Sequence, residues 1–157
     1  MDVGAVENDP DVSSVSITYE KTGDLDACTV DFTANANGFE IAGATCYWTF
    51  DGRTPTADDH DDEGLTVQNE YGNGTHSAAL AVVYNGQTYE DSLVDFLTVA
   101  PSKVYVVVEN EHAESPFDTW AKAATNVNDA VEVAAEKGTT IFVSNGVHHV
   151  SKAITVN

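Results

Sequence analysis

The densest chemistry in the chain is the run Asp58-Asp59-His60-Asp61-Asp62-Glu63-Gly64. Counted from Asp59, oxygen donors fall at positions 1, 3, 5 and 12 (Asp59, Asp61, Glu63 and Glu70) with Gly64 at position 6. That spacing nearly matches a calcium loop, in which alternating carboxylates supply the six to eight hard oxygens the ion requires. Asp59, Asp61 and Glu63 are therefore the candidate metal ligands, with calcium as the candidate cofactor. The match to a helix-flanked loop is incomplete. Position 5 carries Glu, position 8 carries Thr66, and residues 65–71 read as a strand, which would carry Glu70 away from the loop. The alternative is a solvated acidic loop whose carboxylates repel one another.

Other reactive side chains are sparse. His148 and His149 are adjacent, and in an extended segment neighbours point to opposite faces, so they are poorly placed to share a metal. Cys28 and Cys46 are the two cysteines. One pair is no disulfide framework and neither lies in a Cys-x-x-Cys. Each opens its own strand, so antiparallel pairing would set them at opposite ends, and two buried free thiols are expected. The sequon Asn73-Gly74-Thr75 is a bare three-residue match and is given little weight. No nucleophile–base pair and no spacing that singles out two catalytic carboxylates emerges, so no catalytic residue is assigned.

These residues sit in a 157-residue chain with 26 acids, 6 Lys or Arg and a net charge of −20. Such a surface repels phosphate backbones and anionic lipid, which argues against nucleic acid as a partner. No apolar run approaches the ~20 residues of a membrane-spanning helix, which argues against membrane insertion. Met1-Asp2-Val3-Gly4 lacks an export signal's basic and apolar regions, so any such signal is expected to lie outside these residues. Residues 1–100 hold 19 of the acids and only two bases, whereas 101–157 hold seven acids and four bases. The change falls near Ala100-Pro101-Ser102 and suggests a boundary there.

Residues 1–12 are polar and aperiodic and are expected to form a flexible leader. Residues 13–100 read as short β-rich runs separated by turns, with no helical period. In Cys28-Thr29-Val30-Asp31-Phe32-Thr33-Ala34 the apolar side chains alternate with polar ones, as in a strand with one buried face. Cys46, Trp48 and Phe50 share a face of the next run, and Trp48 and Phe50 are expected in the core. Asn85-Gly86 between two strand runs is a strong hairpin signal.

The segment Trp48-Thr49-Phe50-Asp51-Gly52, followed by Tyr71 and by the strand from Gly74 to Val82, resembles the PKD family of immunoglobulin-like β-sandwiches. These are common in secreted bacterial and archaeal proteins. The family's hallmark turn has Asp where Thr49 stands and one more residue, and His76 replaces a usual aromatic.

After Pro101 the pattern changes. Residues 103–108 read as a strand. Val127, Ala130, Val131 and Ala134 lie at i, i+3, i+4 and i+7, one face of a helix capped by Asn126 and closed by Lys137-Gly138. Residues 139–143 read as a strand, Ser144-Asn145-Gly146 as a turn, and 147–156 as a further extended stretch. Thr119-Trp120, Ala123-Ala124-Thr125-Asn126, Asp129-Ala130-Val131 and Gly138-Thr139-Thr140-Ile141-Phe142-Val143 together resemble the N-terminal cap of right-handed parallel β-helix proteins of the pectate-lyase-like superfamily. The resemblance implies that 101–157 form the cap and first coil, with the remaining coils in a parent protein. A helix with a small-residue face would cover the solenoid's apolar end, and Trp120 would lie beside it.

The expected fold class is mainly β: an immunoglobulin-like β-sandwich plus a truncated β-helix cap carrying one short α-helix. The expected function is a non-catalytic binding or spacer region of a secreted or cell-surface bacterial protein, supporting adhesion to extracellular polysaccharide or surface protein. The alternative is an accessory region of a polysaccharide lyase or glycoside hydrolase whose active site lies on other coils.

Overall fold

The computed structural model describes residues 13–134 and 138–154. The leader over 1–12, Lys137 and the last three residues of the chain lie outside them. The protein is mainly β, with nine strands and one α-helix among the described residues. The strands are β1 (Ser14–Thr22), β2 (Ala27–Asn37), β3 (Thr45–Thr49), β4 (Asp62–Glu63), β5 (Thr66–Gly72), β6 (Gly74–Tyr84), β7 (Gln87–Val99), β8 (Lys103–Val106) and β9 (Thr140–Val143). The helix α1 spans Val127–Val133.

The strands form three sheets, ordered β1-β2-β5, β4-β3-β6-β7 and β8-β9. In β2 the alternation works as the sequence implies: Cys28, Val30, Phe32 and Ala34 are buried while Asp31 and Thr33 are exposed. Trp48 and Cys46 are buried on β3, and Phe50 just beyond it is half-buried. Phe32 links the first two sheets. Its ring centroid lies 5.7 Å from Trp48, 5.6 Å from Phe50 and 5.7 Å from Phe96. Packed aromatic pairs of this kind add directional attraction to a large buried area. Strand β3 runs antiparallel to β6 with Trp48 opposite Leu80, and β6 is buried throughout Ala78–Val82. Asn85 and Gly86 take φ of 50° and 77°, the left-handed pair of a two-residue type I′ turn joining β6 to β7.

The described residues divide into two compact units interleaved along the chain. One comprises 13–20, 31–69 and 76–96, the other 21–30, 70–75, 97–134 and 138–154. In the second unit β8 and β9 are parallel, with Val104 opposite Ile141 and Tyr105 opposite Phe142. Ala124 bridges the other side of β8, also in parallel, through bonds from its N–H to Tyr105 O at 2.8 Å and from Val107 N–H to its carbonyl at 2.9 Å. Val104, Val106, Ala124 and Ala130 are fully buried and gather Phe117, Val127, Val133, Ala134 and Ile141 around them.

Three details depart from the periodicity. The cluster around Val104 and Val106 takes Val127, Ala130, Val133 and Ala134 from the helix, while Asn128, two residues from Ala130 and so on another side of the helix, is buried as well. Trp120 is half exposed and its ring meets Tyr105 at 4.6 Å, on the face of β8 away from Val104 and Val106. Residues 147–154 form no strand; Asn128 holds this segment instead. Its side chain accepts from Ser151 N–H at 2.9 Å and Ser151 Oγ at 3.1 Å, and donates to Lys152 O at 3.1 Å. The Asn126 cap is as expected: Oδ1 accepts from Asp129 N–H at 2.9 Å, and Nδ2 donates to the Asp129 carboxylate at 2.6 Å.

Candidate functional site

The acidic run is a folded turn rather than a free loop. Its last two acids, Asp62 and Glu63, form β4 and pair with Trp48 and Tyr47 respectively. Asp61 is its pivot. Its N–H donates to Trp48 O at 2.7 Å and its Oδ2 accepts from Phe50 N–H at 2.8 Å. Thr56 and Asp59 close a small turn by mutual backbone bonds of 2.9 and 3.3 Å. Gly64 finishes the segment, donating its N–H to Cys46 O at 3.0 Å and accepting from Trp48 Nε1 at 2.8 Å. The burial of Trp48 and the path of the acidic segment are thus parts of one local structure.

The charge of this segment is gathered by Arg53. Its guanidinium lies 2.5 Å from Asp61 Oδ1, 3.5 Å from Asp59 Oδ1 and 3.5 Å from Asp51 Oδ2. Burial pulls the guanidinium pKa down, but Asp51, Asp59 and Asp61 outweigh it and hold the group above its ordinary value. The Arg53 carbonyl is also fixed, accepting from the buried Thr49 hydroxyl. Of the three predicted metal ligands, then, Asp59 and Asp61 converge on a cation the protein itself supplies. The Glu63 carboxylate lies 4.0 Å from His60 Nε2 instead. Glu70 lies within β5. Among the described residues no group of three or more His, Cys, Asp or Glu forms a metal cage.

The remaining candidates separate. His148 uses Nε2 in a 2.8 Å bond with Ser144 O, while His149 is exposed. Cys28 and Cys46 are both free and buried. Burial pushes the Cys46 thiol above its ordinary pKa, and the neighbouring Glu63 carboxylate adds to the rise. A raised thiol pKa disfavours the thiolate, the form that acts as nucleophile and metal ligand. A hollow of about 280 Å³ is lined by Gly52, Thr54, Pro55, Glu90, Asp91 and Ser92, among others, but its Asp91 carboxylate is engaged by Ile17 N–H at 2.9 Å.

Two features escaped the sequence. The first is Arg53, which is the sole Lys or Arg between residues 22 and 102 and stands beside Asp51 in a strongly acidic stretch. That isolation was its visible signal. The second is an aromatic strip. Tyr105 lies between Trp120 and Phe142, with centroid separations of 4.6 and 5.3 Å. The register that sets Tyr105 opposite Phe142 creates it, and no local pattern encodes that register. Comparison of the chain with protein-family models, with curated proteins and with solved structures gave no match.

Proposed function

We propose that this chain is a non-catalytic binding and spacing region of an extracellular or surface-displayed bacterial protein. In this reading an immunoglobulin-like sandwich of the PKD kind leads into the cap and first coil of a right-handed parallel β-helix, and the assembly supports adhesion to polysaccharide. The observation that carries the reading is the parallel β8–β9 ladder, joined through α1 and closed over the Val104, Val106 and Ala130 cluster. Parallel strands linked by a covering helix are how a solenoid begins to bury its end. Val143, Val147 and Val150 are exposed near the end of that unit. An apolar surface of that kind is what a following coil would cover.

A non-catalytic role is supported by how the acidic groups are used. Asp61 and Asp91 are hydrogen-bonded to backbone N–H groups, and Asp59 and Asp51 face Arg53. Carboxylates committed to structure in this way are poor candidates for proton transfer. The test is to incubate the chain with a panel of insoluble plant and microbial polysaccharides, measuring retention and released reducing ends together. Retention without product is expected. Released oligosaccharides would overturn the non-catalytic reading, and failure to be retained on any of them would overturn the adhesive one.

A further inference from the structure

At the tip of the β6–β7 hairpin three rings and two amides surround a small cavity. Phe39 is central: its ring stacks on Tyr84 at 4.6 Å and 16° and leans on Tyr89 at 5.0 Å and 31°. With Gly38, Asn85 and Gln87 these rings line a hollow of about 230 Å³. The turn makes the site. Across a two-residue turn Tyr84 and Gln87 stand opposite one another, and Tyr89, two residues on, returns to the same face. The Tyr89 hydroxyl donates to Gln87 Oε1 at 2.8 Å, which leaves the Gln87 amide NH₂ free to turn toward a ligand. Gly38, at φ 91°, brings the preceding segment in so closely that a Cβ there would lie 2.9 Å from Ser13 Oγ. Phe39 follows directly from this tight turn.

The lining has no charged side chain, in a chain with 26 acids and a net charge of −20. Flat ring faces alternate with hydroxyl and amide groups that both donate and accept. All three rings are partly exposed, as is the pocket's polar rim. That combination matches the two-sided chemistry of a pyranose, whose axial C–H face stacks on an aromatic ring while its hydroxyls exchange hydrogen bonds with amides. A uronate or other anion would meet no cation here and would approach against the field of the whole molecule. A purely apolar ligand would leave the Asn85 and Gln87 amides unpaired.

We infer that this pocket binds one neutral hexose unit of a glycan, with Tyr84 and Tyr89 as stacking platforms and Asn85 and Gln87 as hydroxyl partners. The inference rests on the polysaccharide-binding reading above and gives it a site and a ligand class. It is tested on the full chain by titrating neutral gluco-, manno- and galacto-oligosaccharides, and a uronate oligosaccharide, against amide chemical shifts. A neutral oligosaccharide should shift the resonances of Tyr84, Asn85, Gln87 and Tyr89, and the uronate should not. Gln87→Ala should weaken binding roughly tenfold, the loss of one hydrogen bond, with an unchanged circular dichroism spectrum and melting temperature. Tyr89→Phe, which removes only the hydroxyl, separates ring stacking from hydrogen bonding and should weaken binding less. Binding that shifts residues elsewhere, or is untouched by Gln87→Ala, would overturn the site while leaving polysaccharide binding intact. Polysaccharide retention with no response to any neutral oligosaccharide would overturn the ligand class. Absence of retention on every polysaccharide would remove the reading beneath it as well.

Discussion

At Arg53 one guanidinium meets three carboxylates, so its removal changes the electrostatics of the whole Asp51–Asp61 turn. Arginine and calcium would satisfy the same oxygens and therefore compete. Arg53→Gln is expected to lower the melting temperature in EDTA and to recover part of the loss in millimolar calcium, whereas the unaltered chain should respond less. An equal calcium response in both proteins would show that the guanidinium does not occupy the ion's position. Asp26 offers a second test. It adopts φ 64°, donates its N–H to Ala100 O at 2.9 Å and accepts from Ser102 N–H at 2.7 Å. Hydrogen bonds from the Ser102 side chain and backbone hold its carboxyl below the ordinary range, against a smaller opposing effect of burial and with help from Lys103 and Asn73. A depressed carboxyl pKa stabilises the fold above the unfolded value, and that contribution is lost as pH falls through the folded value. Asp26→Asn tolerates the left-handed backbone but lacks the charge. The melting difference from the unaltered chain should be full near neutrality and should shrink below about pH 4. A difference independent of pH would contradict the assignment. The legible part at this scale was residue type: the acidic run, Trp48 and the two free cysteines stood out. What those carboxylates bind was not legible, because Arg53 reaches them only once β3 and β4 have paired.

Among the elements, β2 and α1 show where sequence pattern succeeds and where it slips. Period-two alternation placed Cys28, Val30, Phe32 and Ala34 inward, and all four are buried. Phe32→Ala should cost about 3–5 kcal/mol, since it removes a ring that meets Trp48, Phe50 and Phe96 and leaves a cavity. Chemical denaturation measures it, and a cost below about 1 kcal/mol would show that the core collapses around the deletion. The helix was found from its cap and its 3.6 period, which picked out Val127, Ala130 and Ala134 of the packed face but gave no sign that Asn128 is buried too. A hydropathy pattern counts Asn128 as solvent-facing, whereas three hydrogen bonds to Ser151 and Lys152 make its burial favourable. Asn128→Ala would leave the Ser151 N–H and Lys152 carbonyl without those partners, a loss of about 1–3 kcal/mol. Amide exchange at Ser151 should accelerate at least as much as exchange in α1. Unchanged protection at Ser151 would show that the segment is held by something other than Asn128.

For the whole molecule, the strand content was readable and the partition was not. Alternation and turn residues identify strands one at a time, but the interleaving of the two units arises from contacts between segments far apart in sequence. The same holds for β8 and β9, which are separated by more than thirty residues and meet only through long-range pairing. The account of the second unit rests on the direction of that pairing, since a parallel ladder can be extended coil by coil while an antiparallel hairpin cannot. The most direct measurement is a set of backbone nuclear Overhauser contacts across β8 and β9 in the full chain. The account predicts contacts in parallel register, with Val104 facing Ile141 and Tyr105 facing Phe142, and ring contacts from Tyr105 to both Phe142 and Trp120. Close Hα–Hα contacts of an antiparallel pair, or no cross-strand contacts between these segments, would contradict it.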